Sequence, residues 1–264
     1  SRLEGWDGCG GYHYSDSIIY GFSHTHLSGT GVSDYGDVLL MPTTGKLLFN
    51  NGADGKEGYH SKFSHENEQA SAGFYQVFLE DYKVNVELTV TERVGFHKYT
   101  FPKNEKAQLI LDLEHRDRLL DYKIEVVDSN TLKGIRYSDN WARKQKVHFY
   151  MQFSVPFENI TFNEKQSVAG IEFGNLQDAL LIKVGISAVS TDGAKANLLA
   201  EIPHWNFEKT KAETQALWEN ELSKIQVEGK SEQQKEIFYT ALYHSLLNPN
   251  LYVDVDGHYN GTDL

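Results

Sequence analysis

The sequence predicts a mainly β protein, an antiparallel β-sandwich followed by two C-terminal α-helices. Short runs rich in aromatic and β-branched residues recur over the first two hundred positions, and clusters of turn-forming residues separate them. No helical pattern lies between these runs, which favours a sandwich or barrel over alternating strands and helices. The pattern changes after Pro203, where strong helix formers take over.

The clearest strand pair is formed by residues 75–79 and 84–91, on either side of a short polar stretch. The second run alternates apolar and polar residues, the period of a strand with one buried face, so we expect a hairpin here. Further strands are predicted at 93–101, 107–113, 122–127, 131–137, 146–153, 167–173 and 179–187.

Two helices are predicted in the last quarter of the chain. Residues 206–225 contain no Gly or Pro and begin at Asn206, a good N-terminal cap. Ser231 opens a second helix over 232–247, and Pro249 stops it. Two helices cannot close a domain alone. We therefore predict a sandwich domain over 1–205, a linker helix over 206–230, and over 231–264 the start of a helical domain that continues beyond this chain.

Composition excludes several function classes. The 264 residues carry 25 Lys and Arg against 37 Asp and Glu, a formal net charge of -12, so a nucleic-acid partner is not expected. No apolar run approaches the ~18 residues of a membrane span. The one cysteine, Cys9, excludes an internal disulfide framework and a site built from several cysteines.

Candidate functional residues are most concentrated in residues 5–37. This stretch combines glycines, aromatic rings, hydroxyls, histidines and aspartates with few aliphatic residues. A sugar site needs this mixture, because an aromatic ring stacks on the apolar face of a sugar while its hydroxyls need fixed donors and acceptors. Ordinary turns rich in Gly and Asp have a similar composition, so both interpretations stay open at this point.

Three other patterns are weaker. His24 and His26 share a face if they lie on a strand, but zinc needs three or four ligands, so a structural hydrogen-bonded pair is favoured over a metal site. Residues 254–257 are similar to a calcium loop but lack its full ligand set. The mixed-charge stretch 112–118 is expected to be a solvated turn with local ion pairs.

Two long motifs resemble one known family. Residues 11–42, GYHYSDSIIYGFSHTHLSGTGVSDYGDVLLMP, look like the signature of the family 92 glycoside hydrolases, the calcium-dependent exo-α-mannosidases. The C-terminal part of the chain supports the same family independently. Residues 238–244 and 249–263 are similar to the beginning of that family's catalytic domain. The strands between the two motifs match only in general pattern.

The resemblance implies an N-terminal β-sandwich packed on an (α/α)6 barrel, which would be the partner of this segment in the same protein. It implies removal of terminal α-linked mannose, often α-1,2, with inversion. One carboxylic acid then protonates the leaving oxygen and a carboxylate, roughly 6.5–9.5 Å away, activates water. The family's acid, base and calcium ligands lie in the barrel, so we expect no catalytic residue and no metal ligand in this chain and no hydrolysis by it alone.

The resemblance also assigns substrate-binding residues. Trp6 matches a tryptophan ahead of the first motif, and Asp263 matches an aspartate that hydrogen-bonds the terminal sugar, an interaction strengthened by its charge. His24, His26 and Tyr12 lie in the best-matched motif and are predicted contacts of the sugar. For the two histidines a structural role is the alternative, and it is favoured for at least one of them.

Two other functions remain open at this stage. A free-standing carbohydrate-binding sandwich would explain the aromatic residues and the negative charge but not the incomplete helical part. A generic interaction sandwich would leave residues 5–37 unexplained. The expected substrate is a mannose-containing glycan. Such glycans are found outside the cytoplasm, so a secreted or periplasmic protein is expected. The sequence leaves the linkage preference, the natural glycan and the oligomeric state undecided.

Overall fold

A computed structural model describes residues 12–27, 34–229 and 231–261 and confirms the mainly β sandwich with C-terminal helices. The strands in this part of the chain are Ile18–Ile19 (β1), Leu39–Thr43 (β2), Ser61–Lys62 (β3), Glu68–Ser71 (β4), Phe74–Leu79 (β5), Val84–Val90 (β6), Val94–Thr100 (β7), Ala107–Asp112 (β8), Arg118–Asp128 (β9), Thr131–Asp139 (β10), Gln145–Phe153 (β11), Asn159–Phe162 (β12), Val168–Gly174 (β13) and Leu180–Ser187 (β14). The predicted hairpin is β5 and β6, and the other predicted strands correspond to β7–β11, β13 and β14.

Two antiparallel sheets form the sandwich. The larger has eight strands in the order β4-β5-β6-β7-β14-β11-β10-β9, and the smaller has four in the order β12-β13-β8-β2. Alternate residues of each strand point between the sheets, where Val77, Val86 and Ile182 of the large sheet meet Leu109 and Ile171 of the small one. β1 pairs with β3 in a separate two-stranded sheet.

Helices cover part of the other face of the eight-stranded sheet, called here the outer face. They are Thr191–Glu201 (α1) and Phe207–Leu222 (α2). Ala194 and Leu198 of α1 and Phe207 of α2 form a second core with Phe96 of β7 and Tyr150 of β11. α1 contacts β14 and β11, whereas α2 contacts β6 and β7.

The sequence did not predict α1. Its residues TDGAKANLLAE include a glycine inside the helix, which weakens helix propensity, and its apolar stripe is narrow. The helix is held by its cap and its packing: the Ser190 side chain accepts a hydrogen bond from Gly193 N–H, while Ala194 and Leu198 are fully buried.

The two predicted helices are confirmed, with their caps. α2 begins after Asn206, whose side chain accepts from Lys209 N–H, and Glu232–Ser245 (α3) begins after Ser231, whose side chain accepts from Gln234 N–H. α3 buries none of its residues. In the described part of the chain, none of the helices has the length and apolar character needed to cross a membrane.

Candidate functional site

A cleft of about 490 Å³ lies where β10 and β11 meet the C-terminal segment. Its lining is Tyr137, Lys146, His148, Ala188, Val189, Tyr259, Asn260 and Gly261. The sandwich thus supplies a phenol, an ammonium group and an imidazole on one side. The segment after α3 supplies a second phenol and an amide on the other, so the cleft combines aromatic rings with hydrogen-bonding groups.

Strand register brings the three sandwich side chains together. Tyr137 and Lys146 are directly opposite in the β10–β11 pair, and Lys146 Nζ lies 5.7 Å from the centre of the Tyr137 ring. His148 Nδ1 donates to the Ser187 carbonyl oxygen at 3.3 Å, so its Nε2 accepts from the Tyr137 hydroxyl, also at 3.3 Å. Burial lowers the pKa of His148, which favours the neutral ring that this arrangement requires.

Asp254 holds the C-terminal segment on the sandwich. Its carboxylate accepts a hydrogen bond from Ser187 Oγ at 2.6 Å and another from Asn197 Nδ2 at 2.8 Å. Asn197 Oδ1 in turn accepts from Val255 N–H at 2.9 Å. Gly193 leaves room for the carboxylate, since a Cβ at that position would collide with Asp254 Oδ2. The end of β14 and α1 therefore fix the segment that lines the cleft five residues later.

Arg93 makes a second attachment of the same segment. Its Nε donates to the Val253 carbonyl oxygen at 2.6 Å, and its Nη1 forms an ion pair with Glu201 at 2.6 Å. Glu201, the last residue of α1, also accepts from the Thr91 hydroxyl at 2.5 Å. The β6–β7 turn, α1 and the C-terminal segment are thereby joined around one partly buried ion pair.

Of the five predicted substrate-binding residues, Trp6 and Asp263 lie outside the residues that the structure describes. Residues 259–261, shortly before Asp263 in the sequence, line the cleft. Tyr12, His24 and His26 are described, and the structure places none of these three in the cleft lining. The predicted residues are therefore not brought together into one site within the described part of the chain.

Tyr12 lies against the edge of the eight-stranded sheet. Its hydroxyl donates to Glu68 at 2.9 Å, and Glu68 also receives the Tyr75 hydroxyl at 2.5 Å and contacts His65 Nδ1 at 2.6 Å. Burial is the main cause that raises the pKa of Tyr12, and the hydrogen bond to the Glu68 carboxylate adds to it. Glu68 thus gathers two phenols and an imidazole at β4.

His24 lies inside the sandwich, where both of its ring nitrogens are used. Nδ1 donates to the Val38 carbonyl oxygen at 2.6 Å, so Nε2 accepts from His97 Nε2 at 2.9 Å. His97 Nδ1 then accepts from the Tyr99 hydroxyl at 2.7 Å. Burial lowers the pKa of His24 to about 4, so the ring is neutral near pH 7. The arrangement favours the structural interpretation for His24, with His97 rather than His26 as its partner.

His26 forms an isolated bridge with Tyr35, and its Nδ1 is buried without a hydrogen-bond partner among the described residues. Burial is the main cause that lowers the pKa of His26, and the nearby Arg116 guanidinium adds to it. These contacts leave both interpretations of His26 open.

The stretch 112–118 differs from its prediction as a solvated turn. Asp112, His115 and Asp117 are 5%, 8% and 5% exposed. The fully buried Arg136 of β10 pulls this turn inward, because its guanidinium donates to the carbonyl oxygens of Leu113 and His115, both at 2.8 Å. The partner that buries the stretch is therefore remote in sequence.

Arg136 belongs to a cluster that the sequence did not single out, with the buried aspartates Asp37, Asp34 and Asp117. Arg136 forms an ion pair with Asp37, whose other oxygen accepts from Thr25 Oγ1 and Gln145 Nε2, both at 2.5 Å. Nearby, burial and the carboxylate of Asp34 raise the pKa of Asp117 to about 7. The cluster joins loops of both sheets, which is a structural task.

The described residues do not fit a calcium site. Within 12–27, 34–229 and 231–261 there is no group of three or more His, Cys, Asp or Glu side chains placed to hold a metal ion. Both carboxylate oxygens of Asp254, in the loop that is similar to a calcium loop, are used by Ser187 and Asn197. The cleft lining in this part of the chain also contains no carboxylate that could act as acid or base.

Comparison with known families defines the class of the protein. The family model for the glycosyl hydrolase family 92 N-terminal domain matches residues 1–197, and the family model for the glycosyl hydrolase family 92 catalytic domain matches residues 193–264. These matches make the chain a glycoside hydrolase sequence. The chain belongs to glycosyl hydrolase family 92, which confirms the resemblance found in the two motifs.

Solved structures of family members have the same fold. An α-mannosidase of family GH92 from Bacteroides thetaiotaomicron is 31% identical, with a TM-score of 0.91 over 99% of this chain and 39% of that one. That enzyme is also known in complex with mannoimidazole. An inverting mannosidase of the family from Bacteroides thetaiotaomicron VPI-5482 is 25% identical, with a TM-score of 0.83 over 97% of this chain and 36% of that one.

Among curated proteins, an uncharacterized secreted glycosidase from Arthroderma benhamiae is 22% identical over 296 residues. The match covers 95% of this chain and 38% of that protein. The chain therefore spans less than two fifths of the length of these relatives.

Proposed function

We propose that this chain is the N-terminal portion of a secreted exo-α-mannosidase that removes terminal α-linked mannose, preferentially α-1,2, with inversion. The observation that carries the proposal is the likeness of nearly the whole chain to an α-mannosidase of the same family, at 31% identity and a TM-score of 0.91. The similarity to a protein named as an inverting mannosidase supports the stereochemistry, and the relative named as a secreted glycosidase supports secretion.

In this proposal the cleft forms one wall of the mannose-binding site. Tyr137 and Tyr259 offer rings against the apolar face of a sugar, while Lys146 and Asn260 offer hydrogen bonds to its hydroxyls. Trp6 and Asp263 would complete this wall. The acid that protonates the leaving oxygen and the base that activates water would come from the helical domain, because the described cleft lining holds no carboxylate.

Calcium belongs to the same proposal, with its ligands outside this chain segment. When bound, the ion would polarise sugar hydroxyls as a Lewis acid. The residues of this chain would bind and orient the sugar beside it.

Exposed apolar side chains support an (α/α)6 domain as the partner. Large apolar residues of α2, α3 and the following segment are exposed at Leu217 (68%), Ile237 (63%), Leu251 (50%), Tyr252 (56%) and Tyr259 (68%). A helix without a buried face gains little stability from packing, so α3 needs a partner surface. A free-standing carbohydrate-binding module would leave this apolar surface in water, which makes it the weaker candidate.

The test compares this 264-residue chain with the complete gene product on α-1,2-, α-1,3- and α-1,6-mannobiose, with proton NMR to identify the first anomer released. We expect the complete protein to release β-mannose, fastest from the α-1,2 substrate, and to lose activity when calcium is chelated. We expect no release by the 264-residue chain. Retention of configuration, no release by the complete protein, or hydrolysis at an enzyme-like rate by the short chain would each contradict the proposal.

A matched pair of variants tests the cleft in the complete protein. Lys146→Met removes a cleft donor and should raise KM several-fold, while Lys123→Met, which removes a lysine of β9 outside the cleft, should not. Equal KM values for both variants would mean that the cleft is not part of the substrate-binding site.

A further inference from the structure

A second depression, of about 530 Å³, lies on the eight-stranded sheet far from the cleft. We call it the outer-face groove, and its lining is Glu66, Asn67, Glu68, Gln69, Gln76, Phe78 and Asn85. It lies at β4–β6, whereas the cleft lies at β10 and β11. The nearest strands of the two, β6 and β11, are three strand positions apart, which is about 14 Å at the usual spacing of about 4.8 Å.

Strand alternation places the side chains that β5 and β6 contribute to this groove on the outer face. Val77 of β5 and Val86 of β6 point into the core between the sheets. Their neighbours Gln76, Phe78 and Asn85 therefore point the other way. α2 covers this face at β7, where Phe207 packs on Phe96, and near Phe74, where Lys211 Nζ lies 3.4 Å from the ring centre. The groove lies beside it, on the remainder of β5 and the start of β6.

Cross-strand register aligns the polar groups into a row. Gln69 is opposite Gln76, Gln76 is opposite Glu87, and Glu87 is opposite Lys98. Because Lys98 is paired with Glu208 of α2, the part of this row left for a ligand runs from Gln69 to Glu87 and spans two strand spacings, about 10 Å. Phe78 is directly opposite Asn85 and places an aromatic ring beside the row.

Hydrogen bonds among the polar side chains of this row hold them in fixed orientations. Gln76 Nε2 donates to Asn85 Oδ1 at 3.3 Å, and Asn85 Nδ2 donates to Glu87 at 3.5 Å. Lys98 is held by Glu87 at 3.1 Å and Glu208 at 3.0 Å. An amide has two N–H donors and an oxygen with two lone pairs, so these bonds leave Gln76 and Asn85 with capacity to donate and accept.

This chemistry suits a neutral polyhydroxylated chain. Each sugar hydroxyl both donates and accepts, as an amide does, and a ring such as Phe78 can contact the apolar face of the sugar. The exposed Glu66 carboxylate disfavours an anionic polymer, and Lys98 is already paired with two carboxylates.

We propose that the outer-face groove is a second glycan-binding site, which holds an uncharged oligosaccharide away from the cleft. It uses Gln76, Asn85 and Gln69 as hydrogen-bonding groups and Phe78 as the apolar contact. Its ligand is bound and not cleaved, since cleavage is proposed for the site that the separate cleft helps to form. The site does not depend on catalysis, so it can be tested without the complete enzyme.

The test titrates the 264-residue chain with a linear α-mannan oligosaccharide and observes backbone amide NMR signals. We expect shifts at Gln76, Phe78 and Asn85, and about tenfold weaker binding in the Gln76→Ala/Asn85→Ala variant. The Lys146→Met variant, altered in the cleft, should bind at this groove as the unmodified chain does. Thermal unfolding of each variant verifies that the fold is retained.

Three results would overturn the inference. These are absence of binding, shifts confined to residues 137–148 and 259–261, and stronger binding of a sulfated polysaccharide than of the neutral one. None of them depends on mannose hydrolysis, so failure here is distinguishable from failure of the proposed activity.

Discussion

Asp254 lies buried between the end of β14 and α1, and two side-chain donors are directed at its carboxylate. Hydrogen bonds to a charged acceptor contribute more than neutral ones, and an unpaired buried donor is costly. This side chain is therefore, with Arg93, one of the two attachments that hold the segment lining the cleft on the sandwich.

Replacing Asp254 by Ala should lower the free energy of unfolding by about 3 kcal/mol, since Ser187 and Asn197 would lose their acceptor. Denaturant unfolding measures this change. Asp256→Ala is the matched control, because that carboxylate is half-exposed and should be replaced with little effect. Equal losses in both variants would mean that Asp254 does not hold the segment.

His24 predicts a pH dependence of stability. Its pKa is about 4 in the folded chain, below its ordinary value of 6.5 because of burial. The unfolded chain binds the proton more readily between these values, so His24 contributes fully above pH 6.5 and its contribution is lost as the pH falls toward 4. Asp117, with its raised pKa of about 7, acts in the opposite sense: stability falls as the pH rises toward 7.

Because these two trends oppose each other, the measurement compares variants. The loss of stability between pH 7 and pH 4 should be smaller in His24→Asn, which keeps a donor for the Val38 carbonyl oxygen, than in the unmodified chain. His258→Gln, which removes an exposed ring, should leave the loss unchanged. A pH dependence unaltered by His24→Asn would show that the buried pair is not its source.

At the scale of elements, α1 and β14 are packed so closely that a side chain would not fit between them. A Cβ at Gly185 of β14 would lie 2.8 Å from Leu198 Cβ and closer still to the Ala194 carbonyl oxygen. The backbone of α1 cannot yield as the end of a flexible side chain can. Glycine at this position is what lets the helix lie on the sheet.

Gly185→Ala should therefore destabilise the chain by about 2 kcal/mol through overpacking, as a shift in the unfolding midpoint would show. Gly229→Ala makes a suitable control, since the nearest atom to its Cβ, Lys235 Cγ, lies at 3.4 Å. If both alanines were tolerated equally, the close approach of α1 and β14 would not limit stability.

At the scale of the whole molecule, Arg136 joins the two sheets at one end of the sandwich. It belongs to the eight-stranded sheet, whereas Asp37 precedes β2 and Leu113 follows β8 in the four-stranded sheet. Both members of the ion pair are fully buried. Removing one member of such a pair is expensive because the other charge remains without compensation.

Arg136→Met should cost about 3–5 kcal/mol in the free energy of unfolding. Adding Asp37→Asn should recover part of that loss, since it removes the uncompensated charge. The exposed pair of Arg118 with Asp139 gives the control Arg118→Met, for which little change is expected. Strictly additive effects of the two substitutions would mean that Arg136 and Asp37 do not depend on each other.

The sequence by itself determined the strand class, the hairpin of β5 and β6, and the caps Asn206 and Ser231, because alternation and capping are local patterns. Its two terminal motifs also determined the family. The tertiary structure decided what depends on remote partners: α1 forms against β14 despite Gly193, His24 pairs with His97, and Arg136 buries a charged turn. His24 and His97 are 73 residues apart and Arg136 lies 23 residues from Leu113, so these contacts leave no local pattern, since packing of the two sheets is what brings the partners together.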